Sequence, residues 1–345
     1  MLKRLSVLFV LAAMVVGVFS VTMAQDAVKV GPITQRILDR KKLICGVSTG
    51  TPGFTVINTD GSYSGFDVDY CRVVAAAVLG DSTLVDFRPL QADQRQAAIQ
   101  SEEVDMMSRN TTYTLSRDSV WGATFAPTTF YDGQGMMVTV ASGITDLKGL
   151  EGLTICVQSG TTTELNLADQ MSLAGVKYTP KVFAAADATW NAFVAGQCDA
   201  FTTDKSGLIG YKGTSADPTK YTILDVTMSK EPLGPLSPQS DPQFADIVRW
   251  SVYATIQAEE YGITSKNVDT FLKSDVPEIQ RFLGQGDNAI GSLYGISNDF
   301  VVKIVKQVGN YGEIFDRNVG APFGVGRGLN DLWTKGGLMY SPPFR

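Results

Sequence analysis

Ile44-Cys45-Gly46-Val47-Ser48-Thr49-Gly50-Thr51 and Ile155-Cys156-Val157-Gln158-Ser159-Gly160-Thr161-Thr162 repeat one pattern 111 residues apart. Each is a short apolar run with a cysteine in second place, ending in glycine and hydroxyl residues. Such a run bounded by turn residues reads as a buried strand. Two α/β units therefore begin in the same way. Around the first copy, Leu43–Val47 reads as a strand that enters the Gly- and Pro-rich turn Ser48–Phe54. Val56–Ile57 and Asn58–Gly61 suggest a small hairpin. Gly65–Gly80 reads as a helix, with Cys71, Val74, Ala75 and Val78 on one face and Gly80 at its end. Strand Leu84–Phe87, helix Ala92–Ser101 and strand Val104–Met107 follow. An arm or helix over Gln25–Lys42 precedes them all.

Around the second copy, Gly135–Ala141 reads as a strand before it and a helix follows it, with Thr161 or Thr162 as the cap. A free helix N-terminus at that loop favours a bound anion. Ala188–Gly196 reads as a helix, and strand Asp199–Thr203 places Asp204 at its end. Tyr221–Thr227 is a further strand. Lys230–Leu236, KEPLGPL, breaks regular structure and reads as a return linker. The helix Pro242–Gly262 carries Phe244, Ile247, Val248 and Val252 on one side.

Ser108–Asp118, SRNTTYTLSRD, is the densest cluster of donors. It sets Arg109, Asn110, Thr111, Thr112, Thr114, Ser116 and Arg117 between two apolar blocks. An arginine fork with hydroxyls and backbone N–H groups at a strand end suits a carboxylate. Taken alone, the stretch reads first as a hydroxyl-rich loop leading into a helix, with Thr114 as N-cap and Arg117 in solvent.

Residues 1–24 carry Lys3 and Arg4, an apolar block over Val7–Phe19 and the small-residue exit Thr22-Met23-Ala24. That is the layout of a cleaved secretory signal, and the apolar block is short for a membrane span. The whole chain has 29 basic and 35 acidic residues and a net charge of −6. An acidic exported protein is a poor partner for nucleic acid or anionic membranes. The chain has 0 histidines, which removes Ser-His-Asp and Cys-His catalysis and histidine–zinc sites. No catalytic residue, metal or cofactor is expected. Cys45, Cys71, Cys156 and Cys198 suit an oxidising compartment, and three pairings are open. Cys45–Cys71 with Cys156–Cys198 is the expected pairing, because each bond then closes a loop within one unit.

Gly65-Phe66-Asp67-Val68-Asp69, Asn110–Arg117, Gln158–Glu164 and Cys198–Asp204 occur in the order found in periplasmic amino-acid-binding proteins of ABC transporters. The chain resembles the broad-specificity L-amino-acid branch of that group, the bacterial extracellular solute-binding proteins of family 3. The resemblance implies an α/β, two-lobed periplasmic-binding-protein fold of type II, with two crossover strands. It divides the chain into lobe 1 (25–137), lobe 2 (138–233), and a lobe 1 return with a C-terminal helical extension (234–345). The chain would leave lobe 1 near Met136–Val140 and return near Lys230–Leu236.

The resemblance also implies roles. Arg117 grips the ligand α-carboxylate, helped by Asn110 and Thr112 and, from the second lobe, by Thr162. Asp204 pairs with the α-ammonium. Ser48, Thr51, Ala92 and Thr163 surround the ligand side chain. Relatives specific for cationic amino acids have an acid at the Ser48 position and aromatics near Thr51 and Ala92, so this chain is not expected to select Lys or Arg tightly. Arg109, beside the site, reads either as favouring acidic side chains or as a solvated or structural arginine. The implied partners are an L-amino acid and an inner-membrane permease, with a monomer in the periplasm. Two rivals stand: a periplasmic sensor that docks a receptor, and an exported dehydratase on the same fold.

Overall fold

The computed structural model describes residues 30–285 and 291–345. The signal segment 1–24 and the start of the 25–42 arm lie outside the described residues. Of that arm, Pro32–Arg40 is helical.

Two five-stranded sheets share one strand order. In the first, Val85–Leu90, Leu43–Ser48 and Met106–Met107 run parallel, and Leu236–Pro238 and Ala123–Phe125 complete it. In the second, Thr179–Phe183, Thr154–Gln158 and Ala200–Asp204 run parallel, followed by Gln134–Thr139 and Tyr221–Ile223. The two strands whose sequences echo each other hold the same place in each order. Both are covered on two faces, which is why both read as near-continuous apolar runs. In each sheet the fourth strand is antiparallel to the third and has just arrived from the other lobe. This is the two-lobed α/β architecture the sequence implies.

The lobes are joined by a ribbon of two antiparallel strands, Phe130–Asp132 and Glu231–Leu233. This corrects two expectations. Gln134–Thr139 lies whole in the second sheet, so a boundary at 137/138 would cut it. Its bulky residues mark it as a central strand: Met136 and Val138 pack on one face, Met137 on the other. Lys230–Leu236 is likewise not a plain linker, since it holds one crossing strand and the start of Leu236–Pro238. Its prolines are tolerated because each strand is short. Pro232 faces Tyr131, whose backbone N–H and C=O turn instead to the Asn330 amide at 2.6 and 3.0 Å.

Helix Phe66–Leu79 packs beneath the first sheet and shares one core with Pro242–Glu260, Phe300–Gln307 and Tyr311–Phe315. Pro242 occupies the first turn of its helix, and the Asp241 carboxylate caps it by accepting the Phe244 N–H at 2.9 Å. Asp69 accepts from Arg317 Nε at 2.8 Å and Asn318 Nδ2 at 2.7 Å, which ties the C-terminal extension to the helix of the first lobe.

Cys45–Cys71 and Cys156–Cys198 are bonded, with sequence separations of 26 and 42. Each closes a loop within one lobe. In the chain-entropy model each bond contributes about 3–4 kcal/mol. Reduction is therefore expected to lower the thermal midpoint of the ligand-free protein by many degrees. An unchanged midpoint, with the thiols shown to be free, would count against this stabilisation.

Candidate functional site

The strand Met106–Met107, central in the first sheet, delivers the donor-rich stretch at its C-terminal end, and the Ser108 N–H donates to Gly46 O at 2.9 Å. Asn110 then sits at φ 32°, a left-handed region that asparagine tolerates better than most residues. Asp67 holds it there: its carboxylate accepts the Asn110 N–H at 2.7 Å and the Ser108 hydroxyl at 3.2 Å. Burial pushes the Asp67 carboxyl up to about 7, against those two hydrogen bonds and the nearby Arg109. Asp67 thus acts on the site through the loop it fixes.

Thr114 does cap helix Leu115–Val120, accepting the Arg117 N–H at 3.2 Å. Arg117 is nevertheless not in solvent. It is 6% exposed, donates from Nη1 to Thr112 O at 2.9 Å, and lies 5.1 Å from the centre of the Trp121 ring. The cap and the buried guanidinium are two uses of one short segment.

From the second lobe, Thr161 caps helix Thr162–Ala174, accepting the Glu164 N–H at 3.1 Å. Asp204 ends its strand at 7% exposure and makes no side-chain cap bond to the helix that follows. Burial raises its carboxyl well above the ordinary carboxylate range, reinforced by Asp132 and Glu231 and opposed by Arg117 and Arg95.

These groups converge on two small adjoining cavities between the lobes, each of about 20 Å³. Arg109, Asn110, Gln158, Thr203 and Asp204 line both. Thr51, Phe54 and Tyr211 close one end, while Arg95, Thr112, Arg117 and Thr161–Thr163 form the other. Arg117, Asn110, Thr112, Thr162, Thr163, Asp204, Thr51 and Arg109 are thus brought together. Ser48 and Ala92 are not on these walls. The Ser48 hydroxyl shares a hydrogen bond of 3.0 Å with Thr51, and Ala92 O accepts from Arg95 Nε at 2.9 Å. They support wall residues instead of forming the wall.

Two residues of the site carry no signal in the sequence. Arg95 belongs to a helix that reads as polar-faced; it is 2% exposed and lines the cavity. Glu231 belongs to the expected linker, and it is 1% exposed. Its carboxylate accepts from the Thr112 hydroxyl of the first lobe at 2.6 Å and from Thr162 of the second at 2.9 Å. It also accepts Asn166 Nδ2 at 2.8 Å and the Ser229 hydroxyl at 2.6 Å. Directly across the ribbon stands Asp132, which burial pushes up to about 6. Alternation on a three-residue strand is too short to announce such a residue.

The lobes touch across the cleft. Arg95 Nη2 donates to Gly160 O at 3.0 Å and the Tyr211 hydroxyl to Gly50 O at 3.3 Å. Gly160 has φ 69°, and a side chain there would meet the Asp93 backbone at 3.1–3.2 Å.

A buried cleft with guanidinium and backbone donors on one side and an uncapped carboxylate on the other suits a zwitterion. The comparisons with known proteins agree. The profile of the bacterial extracellular solute-binding proteins, family 3, matches residues 43–267. The chain is 49% identical to the general L-amino acid-binding periplasmic protein AapJ of Rhizobium johnstonii, over 87% of this chain and 89% of that protein. It is 45% identical to the glutamate/glutamine/aspartate/asparagine-binding protein BztA of Rhodobacter capsulatus, over 97% of each chain. An ABC-transporter periplasmic binding protein from Brucella ovis, solved with glutathione bound, superposes with a TM-score of 0.88 at 48% identity, covering 90% of this chain and 99% of that one. On the fold, the cleft and these matches, the chain belongs to the bacterial extracellular solute-binding proteins of family 3.

Proposed function

We propose that the protein is the extracytoplasmic binding component of an amino-acid ABC transporter, which captures L-amino acids in the interlobe cleft and delivers them to a membrane permease. The observation that carries this reading is Arg117 and Asp204 facing one buried cavity from opposite lobes. The relatives named above supply the amino-acid class. In this reading residues 1–24 are a cleaved signal, the mature protein is a periplasmic monomer, and it binds without turning its ligand over. Lobe 1 runs to the crossing strand Phe130–Asp132 and resumes after Glu231–Leu233.

Arg117 takes the α-carboxylate and Asp204 the α-ammonium. Thr112 and Thr162 help through their backbone N–H groups, because their hydroxyl hydrogens are directed at Glu231. Asn110 orients the loop and faces the ligand. A ligand that bridges both lobes shifts the open–closed balance through its differential affinity. Calorimetric titration of stripped mature protein with the 20 amino acids, spermidine, glucose and prephenate tests the reading. Several L-amino acids are expected to bind without turnover. Absence of amino-acid binding, or consumption of prephenate, overturns it.

Binding is also expected to release protons. The Asp204 carboxyl is raised in the ligand-free cleft. An ammonium beside it favours the carboxylate and lowers its pKa. Affinity should therefore fall as pH drops through a window above the ordinary carboxylate range. Titrations in two buffers of different ionisation enthalpy measure the proton count directly. Asp204→Asn should abolish both the release and most of the affinity for α-amino ligands; a release that survives the substitution would place the proton elsewhere.

A further inference from the structure

We infer that Phe323, in the C-terminal extension, is a positioning residue for ligand capture: it seats helix Lys205–Thr214 of lobe 2 against the first-lobe turn Gly50–Phe54 and slows release of the amino acid held in the cleft. The inference rests on the amino-acid reading above and gives the extension a part in it.

The extension is anchored in lobe 1 before it reaches the second lobe. Tyr311, Ile314, Phe315 and Val319 are buried in the lobe 1 core, and Arg317 and Asn318 hold Asp69. The short helix Ala321–Phe323 then ends at Gly324, whose φ of 66° turns the chain and whose N–H donates to Gly320 O at 2.8 Å. Phe323 is thus presented at the end of a braced turn.

Its ring lies between the lobes. On one side is Gly53, where a Cβ would stand 3.1 Å from Phe323 Cε2 and 3.1 Å from Val319 Cγ1. On the other is Gly213 of lobe 2, where a Cβ would stand 2.8 Å from Phe323 Cδ1. Three residues back on the same helix, a Cβ at Gly210 would stand 2.8 Å from Pro52 O. The Tyr211 hydroxyl donates to Gly50 O across this seam at 3.3 Å. The two surfaces meet this closely because glycine leaves the room.

The helix and the turn joined in this way carry walls of the cleft. Asp204 immediately precedes the helix. Ser206, Gly207 and Tyr211 on it line the same cavity as Thr51 and Phe54 of the turn. Phe323 itself lines neither cavity, so it acts on a ligand only through these two elements.

Phe323 travels with lobe 1 and Gly213 with lobe 2, so the contact lasts only while the lobes meet. Opening returns the covered part of a half-buried ring to water. A contact present in the closed state and absent from the open one biases the balance toward closure. Capture starts from open lobes and does not need the contact, whereas release must break it.

The test is release of radiolabelled L-glutamine and L-alanine into excess unlabelled ligand, with association rates measured alongside. The proteins are the unmodified chain, Phe323→Ala, Phe323→Leu, Gly213→Ala and the Phe323→Ala/Gly213→Ala double variant. Phe323→Ala should speed release of both ligands by one common factor, on the order of 5-fold, with association changed by less than about 2-fold. A residue of the cleft wall would instead discriminate between the two side chains. Phe323→Leu, which keeps apolar bulk, should release at an intermediate rate. Gly213→Ala drives a methyl into the ring and should also speed release, yet alanine is the better helix former, so ligand-free thermal stability should not fall. It serves if Phe323→Ala does not fold. With the ring gone that methyl meets nothing, so the double variant should release no faster than Phe323→Ala. Parent-like release in Phe323→Ala overturns the inference, as does a change confined to one ligand or effects that multiply in the double variant. Each of these leaves amino-acid capture intact. Unmodified protein that binds neither ligand would overturn the amino-acid reading itself.

Discussion

Replacing Arg117 with methionine is expected to weaken amino-acid binding by about 2–5 kcal/mol, the cost of removing one half of a buried ion pair. The side chain is held before any ligand arrives: Nη1 is anchored on Thr112 O, the guanidinium lies by Trp121, and the Thr114 cap fixes the helix turn that carries it. Pre-ordering means that little rotamer entropy is lost when a carboxylate docks. Its charge is compensated in the protein only at range, by Glu231 and Asp204, against a larger desolvation. The ligand-free protein should therefore lose little stability on this substitution, although its affinity collapses. Arg117→Lys keeps a charge but not the planar fork, and should fall between the two. Calorimetry for affinity and thermal unfolding without ligand check both halves. Unchanged affinity in Arg117→Met would remove the carboxylate role.

Glu231→Ala should act in the opposite sense, on stability and shape before affinity. The residue gathers Thr112, Thr162, Asn166 and Ser229 around one carboxylate inside the crossing ribbon. Truncation leaves the buried Thr112 hydroxyl and three half-buried donors without that acceptor, at roughly 1–3 kcal/mol for each that water cannot reach. A total of at least about 3 kcal/mol is expected. It also removes the group through which a first-lobe hydroxyl and a second-lobe helix are joined in the absence of ligand. Small-angle scattering of ligand-free protein should show a larger radius of gyration than the parent, with ligand partly restoring the compact form. Glu231→Gln presents an amide N–H₂ to donors, but Asn166 can turn its own oxygen to meet it, so a milder effect in the same direction is expected. Parent-like stability and scattering in Glu231→Ala would show that the other contacts between the lobes, such as those of Arg95 and Tyr211 and the direct Thr112–Thr162 hydroxyl contact, suffice to hold them together.

Residues whose role follows from a local pattern are legible in the sequence. The repeated strand-and-turn, the helix ending at Gly80 and the long helix after Asp241 appear near their expected bounds. The donor-rich loop and Asp204 at its strand end likewise reach the cleft. The crossing strands are not legible, because Phe130–Asp132 and Glu231–Leu233 are too short to show periodicity and one contains proline. Ser48 and Ala92 stand one layer behind their expected place, since sequence position does not distinguish a wall residue from the residue behind it.

The amino-acid sequence by itself determined the two α/β units, the disulfide-compatible cysteine pairs and the chemistry of the loops, because strand, turn and cap preferences act over a few neighbouring residues. Only the tertiary structure decided which charges come together in and behind the cleft. Arg95 and Arg117, and Asp132, Asp204 and Glu231, are far apart along the chain. Burial removes the water that would screen them, so their mutual distance governs both affinity and selectivity, and distance is set by how the lobes close.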